Sequence, residues 1–301
     1  FFGSSCCRLS SCGCPPVIPN MGNSSSSNSK PSSASSMMDM VTGKKNPEPK
    51  TGKKVVAQKL ATASKTGLLS LSGHSLVQVP PAVWDIEKMS TLDLSSNKLD
   101  SLSGAVTKLK MLKSLKLDKN KLTTLPSLDG LDRLTSLSIG ENYLAPGSLK
   151  SLPQPSKLLK LIVPHNRLGG TVFDDCIRAP TIQILDLSSN CITTVPPSIG
   201  ELVALVELLL DDNTIEVLPS EIGELLKLKT LSLRRNRVEG SVIRSTGFQA
   251  LPATLFTNTA LERLNIEGNP ILRRELNELN GVDAWLKRVS KTKQKDLALY
   301  I

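Results

Sequence analysis

An eleven-residue pattern recurs along this chain and leaves it few folds to choose from. Its clearest copy is Ile182–Ile192, IQILDLSSNCI, with apolar residues at positions 1, 4, 6 and 11 and Asn at position 9. The same template fits Met89–Leu99, Leu112–Leu122, Leu134–Leu144, Leu158–Leu168, Leu205–Ile215, Leu228–Val238 and Leu261–Ile271, and more weakly Gly67–Leu76, where His74 takes the Asn position. The Asn residues fall at 97, 120, 142, 166, 190, 213, 236 and 269, in steps of 23, 22, 24, 24, 23, 23 and 33. Self-similarity at such a period marks a solenoid, in which each unit buries its apolar face only by stacking on its neighbours. A chain of 301 residues built this way lengthens by adding units, and one array is expected where length alone allows two domains.

Within a unit, alternation around positions 4 and 6 reads as a short strand. Positions 1, 4 and 6 then turn inward, and 3, 5, 7 and 8 face out along the sheet. The return half carries a second apolar set, as in Val195-Pro196, Ile199-Gly200 and Leu202, where Pro stops the strand and Gly permits a bend. After the strand the chain turns inward and leaves backbone groups without ladder partners, and a buried unpaired group costs about 1–3 kcal/mol. An Asn amide both donates and accepts, so it can satisfy them and stack on the next Asn. The predicted fold is α/β: a solenoid of about nine repeats with a curved parallel sheet on the concave face, irregular, 3-10 or short helical returns on the convex face, and a C-terminal helical cap. Leu272, Leu276, Leu279, Val282, Trp285 and Leu286 supply the apolar face of the cap, interrupted near Gly281, with Trp285 in its core. The 33-residue step places about ten extra residues around Glu239–Gln249, expected as a loop that is either a passive bulge or part of a binding edge.

The formal charge of +10 suggests nucleic acid until it is divided. Residues 66–271 carry 21 basic and 21 acidic residues, so the array is neutral and the excess sits in the tails. A neutral array with few rings is a poor phosphate-tracking groove, and no nucleic-acid partner is expected. No apolar run reaches the ~18 residues of a membrane span. Cys6, Cys7, Cys12 and Cys14 cluster near the start without nearby His, and Cys176 and Cys191 are expected as small apolar residues. The absence of a disulfide framework favours a reducing, cytoplasmic compartment.

Four segments are expected: 1–20, read as non-native upstream sequence; 21–65, a disordered Ser/Lys-rich tail whose end, Lys54–Ser64, can form a helix capping the first repeat; 66–271, the repeats; and 272–301, a helical cap with a basic tail. Met21-Gly22-Asn23-Ser24-Ser25-Ser26 fits the N-myristoylation pattern, which makes Gly22 a candidate lipidation site. One acyl chain binds a membrane only marginally, and tail lysines such as Lys30, Lys44, Lys45 and Lys50 can supply the second, electrostatic contact with an anionic surface.

The strands together with returns such as Leu218-Pro219-Ser220-Glu221-Ile222-Gly223-Glu224-Leu225 resemble the typical class of intracellular leucine-rich-repeat proteins. Taken with the Met21-Gly22-Asn23-Ser24 start and the run Glu267-Gly268-Asn269-Pro270 into Arg274–Asp283, the resemblance implies a non-enzymatic, N-myristoylated protein, cytosolic or peripheral at the membrane, that binds protein partners. Two readings of that role stand: a scaffold capturing a protein on its concave face, or a regulatory subunit or adaptor in a protein phosphatase or small-GTPase signalling pathway.

Chemistry has to be sought in the outward columns. At position 8, Glu141, His165 and Ser189 follow one another like an acid, a base and a nucleophile. A triad also needs an oriented base, an oxyanion hole and a closed pocket, which an open sheet lacks, so no catalytic, cofactor or metal-binding residues and no small-molecule substrate are expected. Charge pairs Asp211–Arg234 and Asp212–Arg235 are expected across neighbouring strands. Ile162, Ile184 and Leu209 are apolar at outward positions where the core does not need them. With Asp186, His165, and the flanking Lys116, Lys119, Arg234, Arg235 and Arg263, they form an apolar centre with a charged rim, the anatomy of a protein interface.

Overall fold

The computed structural model describes residues 51–153, 156–169, 172–177, 179–239 and 250–291. Nine three-residue strands form one parallel sheet in strict chain order: β1 Leu68–Ser70, β2 Thr91–Asp93, β3 Ser114–Lys116, β4 Ser136–Ser138, β5 Lys160–Ile162, β6 Ile184–Asp186, β7 Glu207–Leu209, β8 Thr230–Ser232 and β9 Arg263–Asn265. The central leucines pair in register from Leu69 to Leu264, so every copy of the template occupies the same place in its unit. Returns run back as 3-10 turns such as Pro197–Glu201 and Ser220–Glu224, or as short helices at Val172–Ile177 and Ala253–Asn258. Positions 4 and 6 supply the core: Leu92, Leu94, Leu185 and Leu187 have no exposed surface. Val172, Phe173 and Cys176 close the irregular fifth return from inside, and burial pushes the Cys176 thiol well above its usual range.

Each Asn works as predicted toward the backbone. Asn190 Nδ2 donates to the carbonyls of Val163, Leu187 and Ser188 at 3.0, 3.0 and 3.1 Å, and its Oδ1 accepts the Leu168 N–H at 3.1 Å. Each amide reaches into the preceding unit's backbone as well, which links the units in a ladder. His74 fills this position at the first repeat, its Nδ1 standing 2.8 Å from the Ser72 carbonyl. The residue before each Asn explains why the chain arrives there: Ser96, Lys119, Glu141, His165, Ser189, Asp212 and Arg235 all adopt left-handed φ between 49 and 57°. That conformation reverses the backbone in one step and aims the next side chain into the core.

Both sheet ends are covered. The helix expected near Lys54–Ser64 runs over Thr51–Thr66, taking in the last part of the stretch assigned to the tail, because it packs Ala63, Val56 and Leu60 on the core beside β1. Its end also blocks the free strand edge: Lys59 Nζ donates to the Ser70 carbonyl at 2.9 Å and Thr66 Oγ1 accepts the Leu68 N–H at 3.2 Å. An open strand edge invites pairing with another chain, and both contacts remove that invitation. At the other end two helices, Arg273–Asn277 and Val282–Lys291, meet at Gly281, where a Cβ would lie 2.9 Å from Thr257 Cγ2 and φ is +88°. Leu276, Leu279, Val282 and Trp285 are buried there, whereas Leu272, expected in the same face, starts the first helix with 48% of its surface exposed. Residues 1–50, most of the insertion at Glu239–Gln249, and the basic end after Lys291 lie outside the described residues.

The long eighth unit docks its helix Ala253–Asn258 against the turn Ser220–Glu224. Thr254 Oγ1 donates to the Ser220 carbonyl at 2.7 Å, and a Cβ on Gly223 would stand 2.4 Å from Thr254 Cβ. Gly223→Ala is expected to cost about 1–3 kcal/mol by forcing that helix away, as overpacking does. Gly104→Ala, which meets nothing within 4 Å, serves as the control. Urea midpoints of the two variants check the difference, and equal midpoints would show that the helix is only loosely docked.

Candidate functional site

The register decides which outward residues meet. One row reads Lys116, Ser138, Ile162, Asp186, Leu209 and Ser232 on β3 to β8. The row beside it reads Ser136, Lys160, Ile184, Glu207, Thr230 and Arg263 on β4 to β9. Ile162, Ile184, Asp186 and Leu209 therefore share three adjacent strands, and all four are half-buried. Strands lie about 4.8 Å apart, so Ile162 and Leu209 stand on the order of 10 Å from each other with Asp186 between them. The apolar centre is thus split by a carboxylate. Asp186 is among the residues expected at the interface, and aligning position 5 of successive copies sets it between Ile162 and Leu209; Glu207, half-buried beside Ile184, is the residue that a search for apolar outward positions passes over.

The predicted rim is present but largely engaged with itself. Lys119 Nζ meets Glu141 at 3.3 Å, and Arg234 meets Glu267 at 3.1 Å. Arg235 grips Asp212 with two guanidinium nitrogens, as expected for that pair. This hydrogen bond holds the Asp212 carboxyl below its usual range, with the charges of Arg235, Arg234 and His165 adding to it. The expected Asp211–Arg234 ion pair is not made. Asp211 Oδ1 accepts Ser232 Oγ at 2.5 Å and the Arg234 backbone N–H at 2.8 Å, because position 7 sits where a carboxylate can cap the next strand's turn. Arg263 lies three strands from Ile184 and donates to Thr230 Oγ1 at 2.9 and 3.1 Å, outside the central patch. Lys116 and His165 are exposed.

Glu141, His165 and Ser189 do follow one another on successive units, but Glu141 is committed to Lys119, and no hydrogen bond joins the three among the described residues. Their alignment comes from the shared left-handed turn position. No group of three His, Cys, Asp or Glu residues able to hold a metal occurs among the described residues, and no described helix is long and apolar enough to cross a membrane. A cleft of about 400 Å³ lies between the first helix and β1, lined by Val55, Lys59, Leu68 and Leu69, five strands away from Ile184. The patch on β5 to β7 is an open surface, suited to contact with a macromolecule and poorly suited to enclosing a small substrate.

Comparison with known proteins agrees with the geometry. The family described as Leucine rich repeat matches residues 68–144, and the related single-unit Leucine Rich Repeat family matches residues 181–202. No curated protein sequence matches the chain. Among solved structures, an LRR protein of Leptospira interrogans is 28% identical with a TM-score of 0.56, over 73% of this chain and 58% of that one. An internalin of Listeria monocytogenes is 18% identical with a TM-score of 0.58, over 74% of this chain and 61% of that one. Toll of Drosophila, solved in complex with Spatzle, is 22% identical with a TM-score of 0.57, over 73% of this chain and 28% of that one. The chain spans less than two thirds of each of these proteins, and the last two likenesses show the fold alone.

Proposed function

We propose that this leucine-rich-repeat solenoid is a non-enzymatic scaffold that captures a protein partner on its strand face. The observation that carries the reading is the set of half-buried outward residues Ile162, Ile184 and Leu209 on β5 to β7, which the core does not use. Leucine-rich-repeat folds are typically interaction scaffolds, and one matched structure is itself a protein complex. His165, Lys116, Lys119, Arg234 and Arg235 form the surrounding polar rim, which sets orientation more than affinity, and Asp186 stands inside it between Ile162 and Leu209.

Placement of that surface falls to the N-terminal tail. The Met21-Gly22-Asn23-Ser24 start and the turn Glu267–Pro270 running into Arg274–Asp283 resemble leucine-rich-repeat-containing protein 57, and from that resemblance comes a myristoyl group on Gly22 that acts with tail lysines to hold a cytoplasmic protein at an anionic membrane. An intact mass lacking the acyl group, for protein expressed in a eukaryotic cell from Met21, removes the anchor without touching the strand face.

The strand-face reading is tested by affinity capture followed by mass spectrometry, with wild type and the Ile162→Glu, Ile184→Glu and Leu209→Glu variants. Each variant is expected to lose its specific partner at least tenfold while keeping the wild-type melting temperature, since a carboxylate replaces a desolvated contact of about 2 kcal/mol. Undiminished capture by all three sinks the reading.

A further inference from the structure

Asp186 occupies the middle of the row Ser138, Ile162, Asp186, Leu209, Ser232, with an apolar side chain on each neighbouring strand and Ile184 two residues before it on the same face. Its Oδ1 accepts the Ser188 N–H at 3.0 Å and so fixes the turn that ends the strand. The fold needs no charge for that bond. Asn265, at the same position of the last unit, accepts the Glu267 N–H at 3.2 Å with a neutral amide, and Ser138 and Ser232 occupy the position in other units. The ion pairs among the described residues join Lys119 to Glu141, Lys229 to Glu262, Arg234 to Glu267 and Arg235 to Asp212, and none reaches Asp186 or Glu207. Both carboxylates are half-buried, and both flank Ile184 or Leu209.

A carboxylate partly shielded by apolar side chains attracts a cation more strongly than one in open water, and covering the patch without supplying a cation would strand the charge. The apolar residues alone would accept many partners. The carboxylate discriminates among them, because an acidic segment meets repulsion and a purely apolar one leaves Asp186 desolvated and unpaired. We infer that the strand face takes a partner segment carrying an arginine or lysine between apolar side chains, with the cation seated on Asp186, Glu207 beside it, and the apolar side chains lying over Ile162, Ile184 and Leu209. This rests on the strand-face reading above and specifies what that face selects.

The test uses the full chain, immobilised and panned with a phage-displayed random peptide library at low salt. Recovered peptides are expected to share a basic residue flanked by apolar ones. A synthetic binder should weaken about tenfold when its basic residue becomes Gln, as loss of a hydrogen bond to a charged group does. Asp186→Asn should weaken the original peptide by a similar factor, yet leave the Gln peptide nearly unaffected, which is the signature of a direct pair. This variant keeps the acceptor for Ser188, and an unchanged melting temperature confirms that the turn survives. Peptides that respond to Ile162→Glu and Leu209→Glu but are acidic, uncharged or indifferent to Asp186→Asn overturn the cation seat and leave the strand face standing. A library that yields no peptide sensitive to Ile162→Glu or Leu209→Glu overturns both.

Discussion

Replacing Asn190 with Ala will lower the melting temperature by roughly 6–12 °C, the shift expected for about 3 kcal/mol in a folded unit of this size. The residue is only 7% exposed, and its amide serves three carbonyls and one N–H of two units. Alanine leaves the Val163 and Leu187 carbonyls and the Leu168 N–H in a dry interior, each costing about 1–3 kcal/mol unless water enters. It also removes what offsets the left-handed backbone at Ser189, a conformation that costs non-glycine residues about 1–2 kcal/mol. Asn190→Asp should be at least as damaging, since it keeps the acceptor but turns a carboxylate oxygen toward three carbonyls. A loss under 1 kcal/mol by chemical denaturation would mean that the ladder is ornamental and that leucine packing alone sets the repeat.

Trp285→Ala will cost about 3–5 kcal/mol, the usual range for deleting a fully buried large aromatic. The ring has no exposed surface, lies 5.6 Å from the Phe256 ring centroid, and donates through Nε1 to the Leu261 carbonyl at 2.9 Å. One side chain thereby holds the last helix, the long eighth return and the entry to β9 together. Because units in a solenoid touch only their neighbours, the damage should be local. Amide exchange is expected to accelerate across Leu251–Phe256 and Arg263–Asn265 and to stay slow on β4 to β6. Trp285→Phe retains most of the packing, and losing one hydrogen bond should cost about 1 kcal/mol. Uniform acceleration of exchange along the array would refute the cap role.

The two variants probe the part of the molecule that is most legible in one dimension. A repeat states its register openly: once Asn97 and Asn120 are aligned, the pairing of Leu92 with Leu115 follows without any knowledge of distant contacts. Trp285 as cap core and Asp212 opposite Arg235 were accessible for the same reason, each being decided by nearest neighbours. Two features were not. Arg234 reaches Glu267 and leaves Asp211 to cap a turn, because competition between a guanidinium and a backbone N–H for one carboxylate depends on angles that spacing does not contain. Leu272 points outward because it stands at the start of a helix, and a helical apolar pattern cannot say on which residue the first turn begins. The strand face lies between these cases. Its rows are given by register, which sets Asp186, one of the expected interface residues, between Ile162 and Leu209, whereas Glu207 escapes a search for apolar outward residues.

The left-handed position before each Asn restricts the letters with which that edge of the face can be written. Branching at Cβ is badly tolerated where φ is positive, and the nine residues there, Gly73, Ser96, Lys119, Glu141, His165, Ser189, Asp212, Arg235 and Gly268, include no Val, Ile or Thr. Substitution at this column can change charge, length or hydrogen bonding freely, yet it cannot draw on the stiff branched side chains that most readily build a sticky surface. Backbone geometry therefore keeps the border beside the apolar patch clear of β-branched side chains, while leaving its charge and length open to change.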